Sequence, residues 1–297
     1  MNESTGHSEA ETVGEGELLR LAAFTDNPQA GNPAGVWIGD TPLGDDEMQR
    51  VATEVGYSET AFVVPSQGQD RTVRFFSPEA EVSFCGHATI AIGVALGQAH
   101  GDGAYRLNTP AGDVRVDVTT HDGVLEAALT SVEPRYSAAS TQLLTRSLSV
   151  LSWEAADLDP AIPPAKAFAG NWHLVIAVSE AKRLAELSYD FDGLKSLMLQ
   201  EGLTTLQLIW REDANTFRSR NPFPVGGVIE DPATGAAAAA LGGYLRGIGQ
   251  VAAPAKILIK QGDDMGRPSR LTVDIPAAGG IIVKGTAVLI QAGRGGF

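Results

Sequence analysis

A chain of 297 residues can bury roughly three quarters of its extended surface, so its length suits one large domain or two lobes of about 150 residues each. Hydrophobic residues make up 43% and charged residues 20%, a balance that excludes the disordered and fibrous classes; 34 glycines and 16 prolines add many turns to the expected globular fold. Acidic side chains outnumber basic ones by 36 to 22, and the formal charge of -14 repels phosphate backbones, which excludes nucleic acid as the expected partner.

The opening stretch MNESTGHSEAETVGEG is polar and acidic, the reverse of the basic and then apolar order of a secretory signal, so residues 1–17 are read as an N-terminal tail and the protein as cytoplasmic. Strands are predicted over Glu17–Phe24 and Ala34–Ile38, on either side of the turn-rich TDNPQAGNP. A helix is predicted over Asp45–Val55, with Asp45, Asp46 and Glu47 at its positive end and Gly56 as its stop. Ala61–Val64, closed by Pro65, and Arg71–Phe76, stopped by Ser77-Pro78, read as further strands. The segment ATIAIGVAL, Ala88–Leu96, is apolar almost throughout and predicts a central buried helix. Strands follow over Asp113–Thr119 and Gly123–Thr130.

The stretch from Ser137 to Pro164 reads as the crossover between halves, with a helix over Ser140–Ala155. Beyond it come a strand at Trp172–Val178, helices at Glu180–Leu187 and Phe191–Gln200, and a strand at Thr204–Arg211. The apolar run AAAAALGGYL from Ala236 is shorter than the roughly 20 residues of a membrane span, and its small side chains suit a buried helix ending near Leu245. Strands at Ala255–Gln261, Ser269–Ile275 and Gly280–Ala292 complete the expected elements. Many short strands around a few helices make this an α/β protein of the α+β kind, without regular strand-helix-strand repeats. The expected division is a tail at 1–17, an N-terminal lobe at 18–135, a C-terminal lobe at 136–280 and a final strand at 281–297 returning to the first lobe.

The two halves echo one another. GHATIAIGVAL from Gly86 and DPATGAAAAAL from Asp231 each set an ionisable residue just ahead of Ala-Thr and then enter a helix of small and aliphatic residues. The pattern predicts two lobes of similar topology related by a pseudo-twofold axis, with His87 and Asp231 brought together in a shared cleft. Helix N-termini at Gly86-His87-Ala88 and Thr234-Gly235-Ala236 would there present unpaired N–H groups to an anion such as a carboxylate.

His87 carries an imidazole, the side chain that titrates closest to neutrality, and is expected at the rim of its helix as a proton carrier or hydrogen-bond partner. Glu59 stands between Ser58 and Thr60 at the entrance to an apolar strand, a candidate general acid or base whose carboxyl those two neighbours would orient. Asp231 is expected to cap its helix and to pair with His87. Cys85, the sole cysteine, cannot form an intramolecular disulfide; it is either a small buried hydrophobe or a thiol activated by the helix N-terminus. His7 lies in the tail, His100 and His121 lack partner motifs, and His173 opens a strand. Neither GVWIGD nor GIGQ forms GxGxxG, no GxxxxGK[ST] is present, and the five histidines lack zinc-site spacing, so no cofactor and no metal are expected.

The residues that carry a family resemblance run in order along the chain. They are FTDNP with GNPA (Phe24–Ala34), Met48-Gln49, SETAF (Ser58–Phe62), RFFSP (Arg74–Pro78), Glu81, FCGHAT (Phe84–Thr89), EDPATG (Glu230–Gly235), Gln261-Gly262 and MGRPS (Met265–Ser269). In these blocks the sequence resembles the PhzF-like isomerases of phenazine biosynthesis. The resemblance implies the diaminopimelate-epimerase-like fold, in which each of two pseudo-symmetric lobes wraps a curved, mostly antiparallel sheet around a central helix. It also implies a homodimer, no cofactor, and acid/base isomerisation of a small cyclic or amino-acid-like carboxylic acid, similar to that of a dihydro-3-hydroxyanthranilate. Glu59 matches the family's proton-shuttling glutamate, His87 its histidine and Asp231 its aspartate. Substrate contacts are implied at Asn32, Ser58, Gly86 and Ala88, and at Gly235, Ala236 and Gly262.

The chain departs from the family pattern in three places: Ala236 stands where serine is usual, Ala88 where proline is frequent, and RSRNPFPVGGVI replaces a tidier Arg-x-Phe-x-Pro segment. Related epimerases use two cysteines, and the second has no counterpart here. An epimerase pairing Cys85 with a carboxylate therefore stands as one alternative, and a non-catalytic small-acid-binding protein as another.

Overall fold

The computed structural model describes residues 10–290, which divide into two compact units. The first unit holds the chain up to Gln29, Pro33–Ala127 and everything from Thr286 onward; the second holds Ala30–Asn32 and Ala128–Gly285.

In the first unit β1 (Glu11–Val13) pairs antiparallel with β2 (Gly16–Ala23), so the segment expected to be tail contributes a strand from Glu11 onward. Its anchor is the Trp37 indole, which donates to the Val13 carbonyl at 2.9 Å. β3 (Asn32–Gly39) is followed by α1 (Asp45–Val55), whose buried Met48, Val51, Ala52 and Val55 recur at the spacing of one helix face. Gly56 ends α1 in the left-handed conformation. β4 (Thr60–Pro65) pairs parallel with β3 and antiparallel with β5 (Arg71–Phe76), to which the short β6 (Glu81–Val82) adds. α2 (Gly86–His100) is buried at every position from His87 to Gly97 and packs against β2, β4 and β8 (Gly112–His121). β7 (Gly103–Thr109) lies between β5 and β8, and β9 (Val124–Thr130) follows.

Helix α2 has no polar face because strands surround it. A Cβ placed on Gly93 would lie 2.7 Å from the Ala127 methyl and 2.8 Å from Val116, and one on Gly97 would lie 2.6 Å from Val118. These two glycines, one turn apart, let the helix backbone approach the strands. On the other side of β4 the α1 face joins Leu18, Trp37, Phe62 and Phe76 in a separate apolar cluster. Fully buried side chains such as Ile90, Ile92 and Leu96 each contribute about 1.5–3 kcal/mol relative to exposure.

The second unit begins with the exposed β10 (Arg135–Ala138) and α3 (Thr141–Leu151). Ser140 caps α3 by accepting from the Leu143 amide at 3.1 Å, and the helix stops at Leu151, short of the predicted Ala155, where Ser152 turns left-handed. β11 (Ala165–Phe168) pairs antiparallel with β12 (Trp172–Val178). α4 (Ala181–Ala185), shorter than expected, and α5 (Phe191–Glu201) supply the crossover that a parallel partner requires, and β13 (Thr205–Arg211) returns parallel to β12. β14 (Thr216–Phe223) and β15 (Val228–Asp231) pair antiparallel with a register shift at Pro222, which has no N–H to give to the ladder.

α6 (Gly235–Gly247) follows, then β16 (Ala255–Gln261), β17 (Ser269–Ile275) and β18 (Ile282–Gly285). Alternate residues of β12 and β13 (Leu174, Ile176, Val178, Leu206, Leu208) join side chains of α3, α4 and α5 in one apolar cluster. Helix α6 packs against β11, β12, β13 and β17 through its alanines, so both faces of β12 and β13 are covered. The final strand, predicted as one piece over Gly280–Ala292, is two: Thr286 separates β18 from β19 (Ala287–Leu289), which pairs antiparallel with β2 in the first unit. Residues beyond 290 lie outside the description, as does His7.

Candidate active site

Two clusters of polar side chains form at the predicted positions, one within each unit. In the first, Glu59 ends the segment leading into β4, and its carbonyl accepts from the Gly35 amide at 3.2 Å, which fixes its backbone beside β3. Glu59 Oε2 lies 3.4 Å from His87 Nε2, and Ser58 Oγ lies 3.4 Å from the same nitrogen. Cys85, the N-cap residue of α2, places Sγ 3.3 Å from His87 Nδ1 and 3.7 Å from Nε2.

His87 is 6% exposed, so it sits inside the unit and not at the rim that its polarity suggested. The reason is that its helix is enclosed on all sides, and the ring's nitrogens find polar partners within that enclosure. Thr60, expected to orient the Glu59 carboxyl, does not: it is fully buried and its hydroxyl has no hydrogen-bond partner. Thr60, the first residue of β4, lies against Gly35, whereas Ser58 and Glu59, in the segment before the strand, both reach His87. No side chain caps α2, so the first-turn N–H groups of Gly86, His87 and Ala88 have no intrahelical partner. Such an end favours a negative charge beside it.

In the second unit Asp231 ends β15. Its Oδ1 accepts from Asn32 Nδ2 at 2.7 Å and its Oδ2 from the Thr234 hydroxyl at 2.6 Å. The N-cap of α6 is Thr234 and not Asp231, because Pro232 and Ala233 intervene between the aspartate and the first turn. Asn32 is 2% exposed and also donates to the Ala233 carbonyl, so it ties the turn to the aspartate. Gly235 and Ala236 begin α6, where the side chain of Ala236 offers no hydrogen bond. Gly262 adopts a left-handed φ of 77°, and a Cβ there would meet the Arg267 and Pro232 carbonyl oxygens at 2.3 and 2.8 Å; only glycine fits, and its role is to shape the turn.

Two contributors carry no assigned role in the sequence reading. Gln261 donates to the Asp231 carbonyl at 2.7 Å and to Thr234 Oγ1 at 3.0 Å, fastening the turn from β16. Arg267 donates to the Gly31 and Ala30 carbonyls at 2.8 and 2.9 Å, holding the loop that presents Asn32. Both residues stand inside the motif blocks, so their presence was visible while their partners, distant in sequence, were not.

His173 belongs to neither cluster. It is fully buried on β12, burial holds its imidazole down at about 3, and Nδ1 lies 2.8 Å from the Thr205 hydroxyl. Thr205 Oγ1 also accepts from Asn221 Nδ2 at 3.2 Å, and His173 Nε2 is buried without a hydrogen-bond partner. This histidine is structural.

Residues 21–293 match the family described as phenazine biosynthesis-like proteins, and the chain belongs to that family. Its relatives include an uncharacterized isomerase, YfhB, of Bacillus subtilis, 29% identical, the match covering 92% of this chain and 96% of the relative. An uncharacterized isomerase of Deinococcus radiodurans is 32% identical over 87% of this chain and 86% of its own. Among solved structures, the phenazine biosynthesis protein of the PhzF family from Bacillus anthracis superposes with a TM-score of 0.81 at 25% identity, covering 92% of this chain and 96% of that one. The fold is the mixed α/β architecture of that family. Among the described residues no helix is long and apolar enough to cross a membrane.

Proposed function

We propose that the protein is a cofactor-independent isomerase that moves a proton between two carbons of a small cyclic or amino-acid-like carboxylic acid. The observation that carries this reading is the Glu59 carboxylate 3.4 Å from the buried His87 imidazole, at the uncapped start of α2. The Glu59 carboxylate takes a proton from an sp3 carbon next to a carboxyl or conjugated diene. The electron pair left behind enters the conjugated system, and the Glu59 carboxylic acid returns the proton to another carbon. His87 hydrogen-bonds the substrate's amino or hydroxyl group, and Ser58, on the same nitrogen, helps to set the ring. Asp231, held by Asn32 and Thr234, is the third catalytic residue. The first-turn N–H groups at Gly86–Ala88, which have no intrahelical partner, take the carboxylate. Family membership and relatives described as isomerases support the reading.

The test is a panel of small cyclic and amino-acid-like carboxylic acids followed by NMR in deuterium oxide. Exchange of a substrate C–H with wild type, lost in Glu59→Gln while the ligand still binds, is the expected outcome. Saturable binding without exchange for any member of the panel contradicts it and favours a binding protein. One observation favours a second reading: Cys85 Sγ is 3.3 Å from His87 Nδ1, within reach for thiol deprotonation, as an epimerase using Cys85 with a carboxylate requires. In that case Cys85→Ala abolishes exchange.

A further inference from the structure

The strand that delivers Asp231 has little of its own to hold it. β14 pairs with β13 as far as Arg220 and with β16 as far as Ser219, and from Asn221 onward its ladder is with β15. A two-stranded ribbon of this kind is marginal in water. β15 is four residues long, its Val228 and Ile229 are 40% and 70% exposed, and Pro222, opposite Glu230, has no N–H to give. Apolar burial and backbone pairing are therefore weak constraints on its last residue, Asp231.

A buried ion pair supplies the missing constraint. Arg220 Nε donates to Glu230 Oε1 at 3.0 Å and Nη2 to Oε2 at 2.6 Å, a two-pronged grip between side chains 13% and 4% exposed. Arg220 Nη1 donates to the Ala185 carbonyl at 3.0 Å, which ties the guanidinium to the end of α4, and Asp264 Oδ2 faces Nε from 4.0 Å. Glu230 and Asp231 are successive strand residues, so holding Glu230 on one face fixes how Asp231 projects from the other. There the Asp231 carboxylate meets Asn32 and the Thr234 hydroxyl. Asn221, opposite Asp231 in the register, is itself anchored, its Nδ2 donating to Gln207 Oε1 at 2.6 Å. We infer that Arg220 and Glu230 are positioning residues whose ion pair sets the Asp231 carboxylate against Asn32 and Thr234. The inference rests on the role proposed above for Asp231. Desolvation of two buried charges offsets their attraction, so apolar residues of similar volume often serve stability as well; what such a pair adds is one fixed arrangement.

The test compares full-length wild type with a double variant, Arg220→Met together with Glu230→Leu, and with Glu230→Gln, which keeps the volume and one acceptor oxygen. Thermal melts read the fold. In protein carrying isotope-labelled asparagine, the side-chain amide of Asn32, assigned by its loss in Asn32→Ala, reads the bond to Asp231 by NMR. The expected double variant melts at or above wild type while its Asn32 amide protons exchange with solvent about tenfold faster or more, and Glu230→Gln shows the same change to a smaller extent. On any acid of the panel whose C–H exchanges with wild type, the double variant loses about tenfold or more in rate. Asn32 protection as in wild type, substrate exchange as in wild type, or a double variant that fails to fold overturns the inference, the last because it makes the pair a folding element. If no acid exchanges with wild type, the isomerase reading falls and the amide protons alone decide whether the pair positions Asp231.

Discussion

Glu59 and Thr60 are adjacent in sequence and have opposite environments, and the difference decides which of them can do chemistry. Glu59 reaches His87; Thr60 is buried against Gly35 with an unsatisfied hydroxyl. Replacing Glu59 by glutamine keeps the volume and removes the carboxylate proposed as the base, so exchange should fall by about 10²–10⁴-fold. His173 makes a different prediction. Its imidazole takes a proton below about 6.5 in the unfolded chain but only below about 3 in the folded one. Between those values the unfolded state holds the extra proton, so stability is lost as pH falls through that window, by about 1.4 kcal/mol per pH unit for one group. Urea unfolding of wild type and His173→Asn across that range should show the steeper loss in wild type; parallel curves contradict the assignment. Glu59, His87 and Asp231 were legible as candidates because each stands inside one of the motif blocks that carry the family resemblance. Their immediate partners were less so: the exposure of His87, the blind side of Thr60 and the bonds from Gln261 and Asn32 to the Asp231 turn depend on what the fold brings alongside.

At the scale of elements, legibility follows the strength of the local pattern. α1 was readable to the residue because acidic residues, a one-face apolar repeat and Gly56 mark its two ends and its buried side. α2 was readable as a buried helix because it has no polar face, although its last turn, Gly97–His100, extends beyond the apolar run. β10 is exposed at all four positions and β11 has only four residues, so neither has an alternation long enough to detect. β14 contains Asn221-Pro222, which reads as a turn in isolation and is a strand only because neighbouring strands complete it. Two substitutions probe the helices. Gly97→Val in α2 drives carbon into Val118 and should cost about 1–3 kcal/mol, seen as a lower thermal midpoint. Ser140→Ala removes the cap of α3 and should cost about 1 kcal/mol; a midpoint unchanged in either variant contradicts the packing or capping described.

At the scale of the whole molecule, the order of the motif blocks revealed the family, while unit membership had no local signal. Residues 30–32 group with the second unit and the chain from Thr286 with the first, a partition set by contacts between segments far apart in sequence. The formal charge of -14 acts on the molecule as a whole. Self-repulsion is screened by salt, so moderate sodium chloride should raise the thermal midpoint at neutral pH, and the protein should pass unretained through a heparin column at low salt. Retention there would reveal a basic surface that the composition does not suggest. The central claim is that Glu59 carries the proton. It is tested most directly by the deuterium-exchange rate at the substrate carbon, compared between wild type, Glu59→Gln and Cys85→Ala on the first ligand that exchanges. Loss in Glu59→Gln with exchange retained in Cys85→Ala is the predicted result; retention in Glu59→Gln with loss in Cys85→Ala would move the proton to the thiol and contradict the account.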